Sequence, residues 1–255
     1  MPKFMNVSDS DVSLHKFDYT KVKVDRLGAT EYTAVTIIVD KTYSVKGFKT
    51  GLEKMIKACV GSCKGSPRAL NLLLRVIAFN NGGIQEIHGW MLLSDIELDN
   101  YDDVIFPANA TNLFQATLCG LDVMRDYINK LYNSERIVNA NGMVFIITDG
   151  EDNCPEFGVT PQMIKETLDS MNDEDEAMES VRTILIGVND GRKDLKKLLT
   201  DFKEEAGLDE YISMGDVSES KLAKLAQFMS QSVSSQSDAL GTGQPSQPIK
   251  DFKFN

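Results

Sequence analysis

The residues best placed for chemistry stand where apolar runs stop. "TAVTIIVD" ends on Asp40, and "DKTYS" then offers hydroxyls at alternate positions, Thr42 and Ser44. A second apolar run, "MVFIITDGED", ends on an aspartate too, Asp149. Between them "ANATNLFQA" carries Thr111 at a helix start, where threonine also serves as a cap. Two chemistries fit a carboxylate followed by alternate hydroxyls. Alternation puts Asp40, Thr42 and Ser44 on one side of an extended loop, a set of oxygens suited to a hard metal ion. Alternatively, Asp40 is a nucleophile that accepts a phosphoryl group, with Asp149 helping to hold magnesium.

These groups need a scaffold, and the hydrophobic pattern supplies one. Residues 33–40 are nearly continuous and β-branched, as expected of a strand buried on both faces of a parallel sheet. From Phe48 to Cys59 the period becomes helical. "ALNLLLRVIAF" (69–79) reads as a strand, "NNGG" as a hairpin turn, and "IQEIHGWMLL" (84–93) as the antiparallel partner. A long helix follows, with Leu113, Thr117, Leu121, Met124, Ile128 and Leu131 on one face. Strands at 143–149, 181–188 and 210–214 then alternate with helices at 160–171, 193–207 and 218–233. Residues 17–27 alternate as an edge strand. The order predicts an α/β fold: a doubly wound, mostly parallel open sheet, helices on both faces, one antiparallel edge strand. Such sheets bind ligands outside the carboxyl ends of their strands. Asp40, Thr111 and Asp149 are therefore expected on one edge.

Composition narrows the partners. The chain has 255 residues, a formal net charge of −11 and a pI near 4.7. Nucleic acid and anionic membrane both call for a basic footprint, so neither is expected. The N-terminal segment lacks the apolar core of a signal peptide, and no stretch has the length of a spanning helix. A cytoplasmic location is expected. Cys59, Cys63, Cys119 and Cys154 form no CxxC pair and read as thiols of a reducing compartment. The acid run "NDEDE" (172–176) reads as a solvated loop.

The three loops resemble the metal-ion-dependent adhesion site (MIDAS) of von Willebrand factor type A (VWA) domains. "DKTYS" is similar to the Asp-x-Ser-x-Ser of that family, with Thr42 keeping the middle hydroxyl. "NATNLFQAT" keeps Thr111, Asn112 and Leu113 of the second motif, and "IITDGEDN" (146–153) matches the third. The resemblance covers residues 33–233 and implies a metal site made of Asp40, Thr42, Ser44, Thr111 and Asp149. It implies magnesium, or manganese, touched directly by Ser44, Thr42 and, once liganded, Thr111, with both aspartates acting mainly through water. It also implies a protein partner that completes the octahedron with an Asp or Glu carboxylate; the nearby Lys41 and Lys46 would favour such a ligand, while Lys49 reads as an ordinary solvated lysine. Within the family the chain is most similar to small bacterial and phage proteins of the kind encoded in tellurite-resistance operons, with a stress, regulatory or assembly role. Tyr43 departs from the pattern, which usually has Gly there. That leaves a metal-free interaction module as a further reading.

Catalysis is the rival reading. "DKTYS" also resembles the "DKTGT" of haloacid-dehalogenase-type phosphohydrolases. However, the helix starts within a few residues of Ser44, with no room for the flap and cap those enzymes insert, and no acid stands two residues after Asp40. Lys130, the upstream lysine, falls inside a predicted helix. "GSCKG" (61–65) leaves a helix where a nucleophile elbow would open one. His15 and His88 have no visible catalytic partner. A binding module and not an enzyme is expected. By composition the chain divides into a loosely ordered segment (1–16), the VWA-like domain (17–233), and a flexible linker with a tail peptide (234–255). Ile249, Phe252 and Phe254 in that tail either pack back onto the domain or dock onto another copy or another protein.

Overall fold

The computed structural model describes residues 19–21, 27–154, 158–173, 177–189, 191–249 and 252. In chain order the elements are β1 (Glu31–Asp40), α1 (Lys49–Lys64), β2 (Leu72–Asn80), β3 (Gly83–Leu92), α2 (Leu113–Asn133), β4 (Asn139–Thr148), α3 (Pro161–Asp173), β5 (Met178–Gly187), α4 (Lys193–Glu205), β6 (Glu210–Ser213) and α5 (Glu219–Gly241). The strands form a single sheet in the order β3-β2-β1-β4-β5-β6. Every neighbouring pair is parallel except β2–β3. The expected doubly wound sheet with an antiparallel edge strand is thus present.

The continuous apolar run of β1 is explained by its place. It pairs with β2 on one side and β4 on the other, and every residue from Tyr32 to Asp40 is buried. Its side chains alternate between two cores. Ala34 and Ile38 join a cluster with α2, α3 and α4, while Val35, Ile37 and Val39 join one with α1 and α5. α2 crosses β1 so closely that a Cβ on Gly120 would stand 2.6 Å from Cδ1 of Ile38. Only glycine lets the helix sit at that depth. From β1 the chain winds outward through β2 and β3, then returns to β4 on the other side of β1. The crevice at the carboxyl ends of β1 and β4 is therefore the switch point, where ligands bind in open α/β sheets.

The C-terminal boundary differs most from the sequence reading. The last helix does not stop at Val233 but runs on to Gly241, burying Gln236, Ser237, Ala239 and Leu240. Small polar residues there mimic a linker by composition, yet the largest of the buried ones, Gln236, finds partners. The Gln236 amide accepts from Ser246 Oγ and the Gln247 N–H, and donates to the Gln247 carbonyl. The segment after α5 is thereby drawn back onto the domain, the first of the two readings of the tail. The ring of Phe252 lies 4.6 Å from that of Phe228 on α5, and Ile249 packs on the same core. Phe254 lies outside the described residues, as do residues 1–16 and 174–176. Of the expected strand at 17–27, Lys21 makes a parallel bridge to Trp90 on the outer side of β3, and residues 22–26 fall outside. No described helix is long and apolar enough to cross a membrane.

Candidate metal centre

Asp40 is the last residue of β1, and the chain leaves it through a single turn of 3₁₀ helix, Tyr43–Gly47. That tight exit turns Thr42 and Ser44 back toward the sheet edge. Their hydroxyl oxygens stand 2.9 Å apart, and Ser44 Oγ donates to Asp149 Oδ1 at 2.6 Å. Asp149 follows β4 directly, so the β1–β4 register brings the two loops together. Asp40 is fully buried. One of its oxygens accepts the Thr42 N–H at 2.7 Å, and the other accepts the Thr148 hydroxyl at 2.7 Å.

Thr111 arrives from the loop before α2, and its backbone is locked to the third loop. Its N–H donates to Asn153 Oδ1 at 2.8 Å, and its carbonyl accepts the Asn153 N–H at 3.0 Å. Its hydroxyl faces Gly150, where an added Cβ would stand 3.2 Å from Oγ1. Thr111 does not cap α2. Asn112 occupies that position without a side-chain bond to the backbone, and Asp152 supplies the acceptor instead, taking the Phe114 N–H at 2.9 Å. A carboxylate there also meets the positive end of the helix dipole. All five residues read from the sequence thus gather on one edge.

Several supporting groups carry no sequence signal of their own. Thr148, Asp152 and Asn153 lie within the matched third motif, yet their roles depend on which loop each one meets. Asn109 takes a left-handed conformation (φ 65°), and its carbonyl accepts the Tyr43 N–H at 3.4 Å. Ala108 N–H donates to the Lys41 carbonyl, stitching the same two loops again.

The electrostatics favour a cation. Burial pushes the Asp149 carboxyl up to about 6, and the neighbouring Asp40 charge adds to the rise. The Ser44 hydrogen bond and Arg192 oppose it. Burial also raises Asp40, against the bonds from Thr42 and Thr148. Two carboxylates joined through hydroxyls and carrying raised affinities for protons gain from any positive charge between them. Among the described residues no three His, Cys, Asp or Glu side chains converge on one point. The ligand set is instead two acids and three hydroxyls, all oxygen, which suits magnesium or manganese better than a soft metal. The residues fit the ion that the motif implies.

Tyr43 does not fill this set. Its ring is 64% exposed, with Lys46 Nζ 5.4 Å from the ring centre. Lys41 turns away to Gln85 Oε1 at 2.9 Å, and burial lowers its pKa. Lys49 sits over the ring of Phe106 and pairs with Asp103 at 3.7 Å.

Solved structures share this architecture. A variant of the PilB minor pilin from Streptococcus sanguinis superposes with a TM-score of 0.57 at 13% identity, over 87% of this chain and 65% of the pilin. The pilus adhesin SpaC from Lactobacillus rhamnosus GG gives 0.56 at 10% identity, over 80% of this chain and 30% of the adhesin. Proximal thread matrix protein 1 from the mussel byssus, with a zinc-occupied MIDAS motif, gives 0.53 at 16% identity, over 80% and 46%. The fold is VWA-like. The chain spans less than two thirds of each of these proteins, and the likeness is one of fold. No family model and no curated protein matches the sequence. The VWA-like reading therefore stands on the three motifs, on the loop geometry and on the shared fold.

Proposed function

We propose that this chain is a protein-binding module whose sheet-edge site holds magnesium, or manganese, and recognises a carboxylate on a partner protein. The observation that carries the proposal is the unbroken chain of oxygens Thr42–Ser44–Asp149, seated beside the buried Asp40. Ser44, Thr42 and Thr111 would hold the ion directly, and Asp40 and Asp149 would orient its waters. When bound, the ion supplies Lewis acidity toward an incoming carboxylate, because neutral hydroxyls leave most of its charge unspent. The rest is done by the chain. Asp40 fixes Thr42 through the backbone, Asp149 fixes Ser44, and Asn153 holds Thr111 at the rim.

This reading treats the protein as a non-enzyme. Its support is that both oxygens of Asp40 are already engaged and that the side chain is fully buried, which suits an anchor better than a nucleophile. The bacterial or phage stress or assembly setting rests on the sequence resemblance. A cytoplasmic setting accords with four cysteines that stand as buried free thiols. Isothermal titration with Mg²⁺ and Mn²⁺ tests the site. The wild type should bind one ion, and Ser44→Ala and Asp149→Ala should each weaken binding at least tenfold. Equal affinity in all three proteins would remove the site. Beryllofluoride tests the enzyme alternative, since a stoichiometric adduct that disappears in Asp40→Asn would make Asp40 a nucleophile.

A further inference from the structure

Among the described residues, two aromatic side chains are mostly exposed, Tyr43 at 64% and Phe106 at 62%. Both stand on loops of the metal centre. Tyr43 lies between the two site hydroxyls Thr42 and Ser44, and its N–H bonds the Asn109 carbonyl. Phe106 lies three residues before Asn109 on that same loop, which Ala108 ties to the carbonyl of Lys41. Each ring carries an ammonium group: Lys46 Nζ is 5.4 Å from the centre of Tyr43, and Lys49 Nζ is 5.9 Å from that of Phe106. Exposed rings bring little stability to a fold. Rigid aromatic side chains beside cations are, however, what binding surfaces concentrate. The chain as a whole is acidic, at −11, and these two ammonium groups stand beside the site loops, with Lys49 facing the exposed Asp103.

We propose that Tyr43, Phe106, Lys46 and Lys49 form a recognition rim that selects an acidic segment with an aromatic side chain beside the carboxylate. This rests on the metal-site reading and adds the chemistry of the partner to it. One partner carboxylate would go to the site. The neighbouring aromatic ring would lie against Tyr43 or Phe106, where ring pairs add to area burial. A second acid would meet Lys46 or Lys49, each already held near its ring by the cation–π contact. Lys49 would exchange its pairing with Asp103, which is 88% exposed and held at 3.7 Å, for the incoming acid. A partner segment with glycine in place of the aromatic residue would lose the ring contact and keep the ion contact.

Fluorescein-labelled synthetic peptides test this by anisotropy in Mg²⁺ and again in chelator. The peptides carry Asp-Phe-Asp, Asp-Gly-Asp or Asn-Phe-Asn flanked by Gly-Ser. Wild-type protein should bind Asp-Phe-Asp at least tenfold more tightly than Asp-Gly-Asp, and Asn-Phe-Asn should not bind. Phe106→Ser and Tyr43→Gly should each reduce that preference about threefold or more, while calorimetric Mg²⁺ affinity stays unchanged in Phe106→Ser, which removes none of the five site side chains. Mg²⁺ binding with no preference among the peptides, or a preference that survives both substitutions, overturns the rim and leaves the site standing. Failure of the protein to bind Mg²⁺ at all overturns the site, and the rim with it.

Discussion

At the level of single side chains, the two kinds of polar residue in this sheet do different work. Asp40 and Asp149 carry raised proton affinity at an open edge, whereas His88 is packed inside. Its Nδ1 lies 2.8 Å from the Gly89 carbonyl, which can only accept, so Nδ1 bears the hydrogen. Nε2 then accepts from the Tyr101 hydroxyl at 2.7 Å. Burial lowers the His88 pKa from 6.5 to about 4, so the imidazole stays neutral near pH 7. The unfolded chain takes up the proton first as acid is added. Stability is therefore complete above pH 6.5 and falls as the pH drops toward 4, by about 3 kcal/mol from this residue. Urea denaturation at pH 7 and pH 4.5 measures the loss, and His88→Gln should flatten that part of the profile. A slope unchanged in His88→Gln would assign it to other groups. Asp40, Thr42, Ser44 and Asp149 were legible in the sequence because each follows an apolar run that fixes where the strand ends. Thr111 was legible through its motif neighbours, since by itself it reads as a cap. The bond from Thr148 to Asp40 was not legible, because it depends on a register between strands more than a hundred residues apart.

Among the elements, α2 and α5 show how context overrides local pattern. The entry to α2 reads as capped by its own threonine, yet the acceptor comes from Asp152 on the loop after β4. Asp152→Ala should lower stability by about 1 kcal/mol, as for other lost caps, and should also loosen Thr111 by freeing the loop that holds it. Hydrogen exchange at Phe114 and Ala116 is the direct measurement, and exchange as slow as in wild type would deny the cap. α5 was read as ending at Val233 because "SSQSDALG" has a linker composition, and composition says nothing of what lies opposite. Here Asn141 on β4 donates to the Gln236 carbonyl, and the Gln236 side chain holds residues 246 and 247. Removing residues 244–255 should cost about 2 kcal/mol through the exposed Phe228 and the lost Phe252, a fall of about 4–8 °C in Tm. An unchanged Tm would show that the returning segment contributes no net stability. The strands and helices up to β6 were legible because their periods are clean, whereas the order of the strands in the sheet came only from the structure.

For the molecule as a whole, the proposed ion joins loops that follow the two central strands, so its binding should stabilise the entire sheet. At a hundredfold excess over its dissociation constant, Mg²⁺ should add about 2.7 kcal/mol. Calorimetric scans with Mg²⁺ and with chelator measure this, and Asp149→Ala should show a clearly smaller rise in Tm. Equal Tm values with and without the ion in wild type would argue against binding to the folded state. Ser44 and Asp149, which meet at 2.6 Å, are 105 residues apart in the chain. Closing so long a loop is entropically costly, and folds built on distant pairings reach the native state slowly. Local helices can form in microseconds, long before β1 finds β4. The proposed recognition site should therefore form late in the protein's own assembly. In a stopped-flow refolding experiment, ion uptake should appear in the slowest phase and never in the burst, so that no half-folded chain displays a working site to a partner.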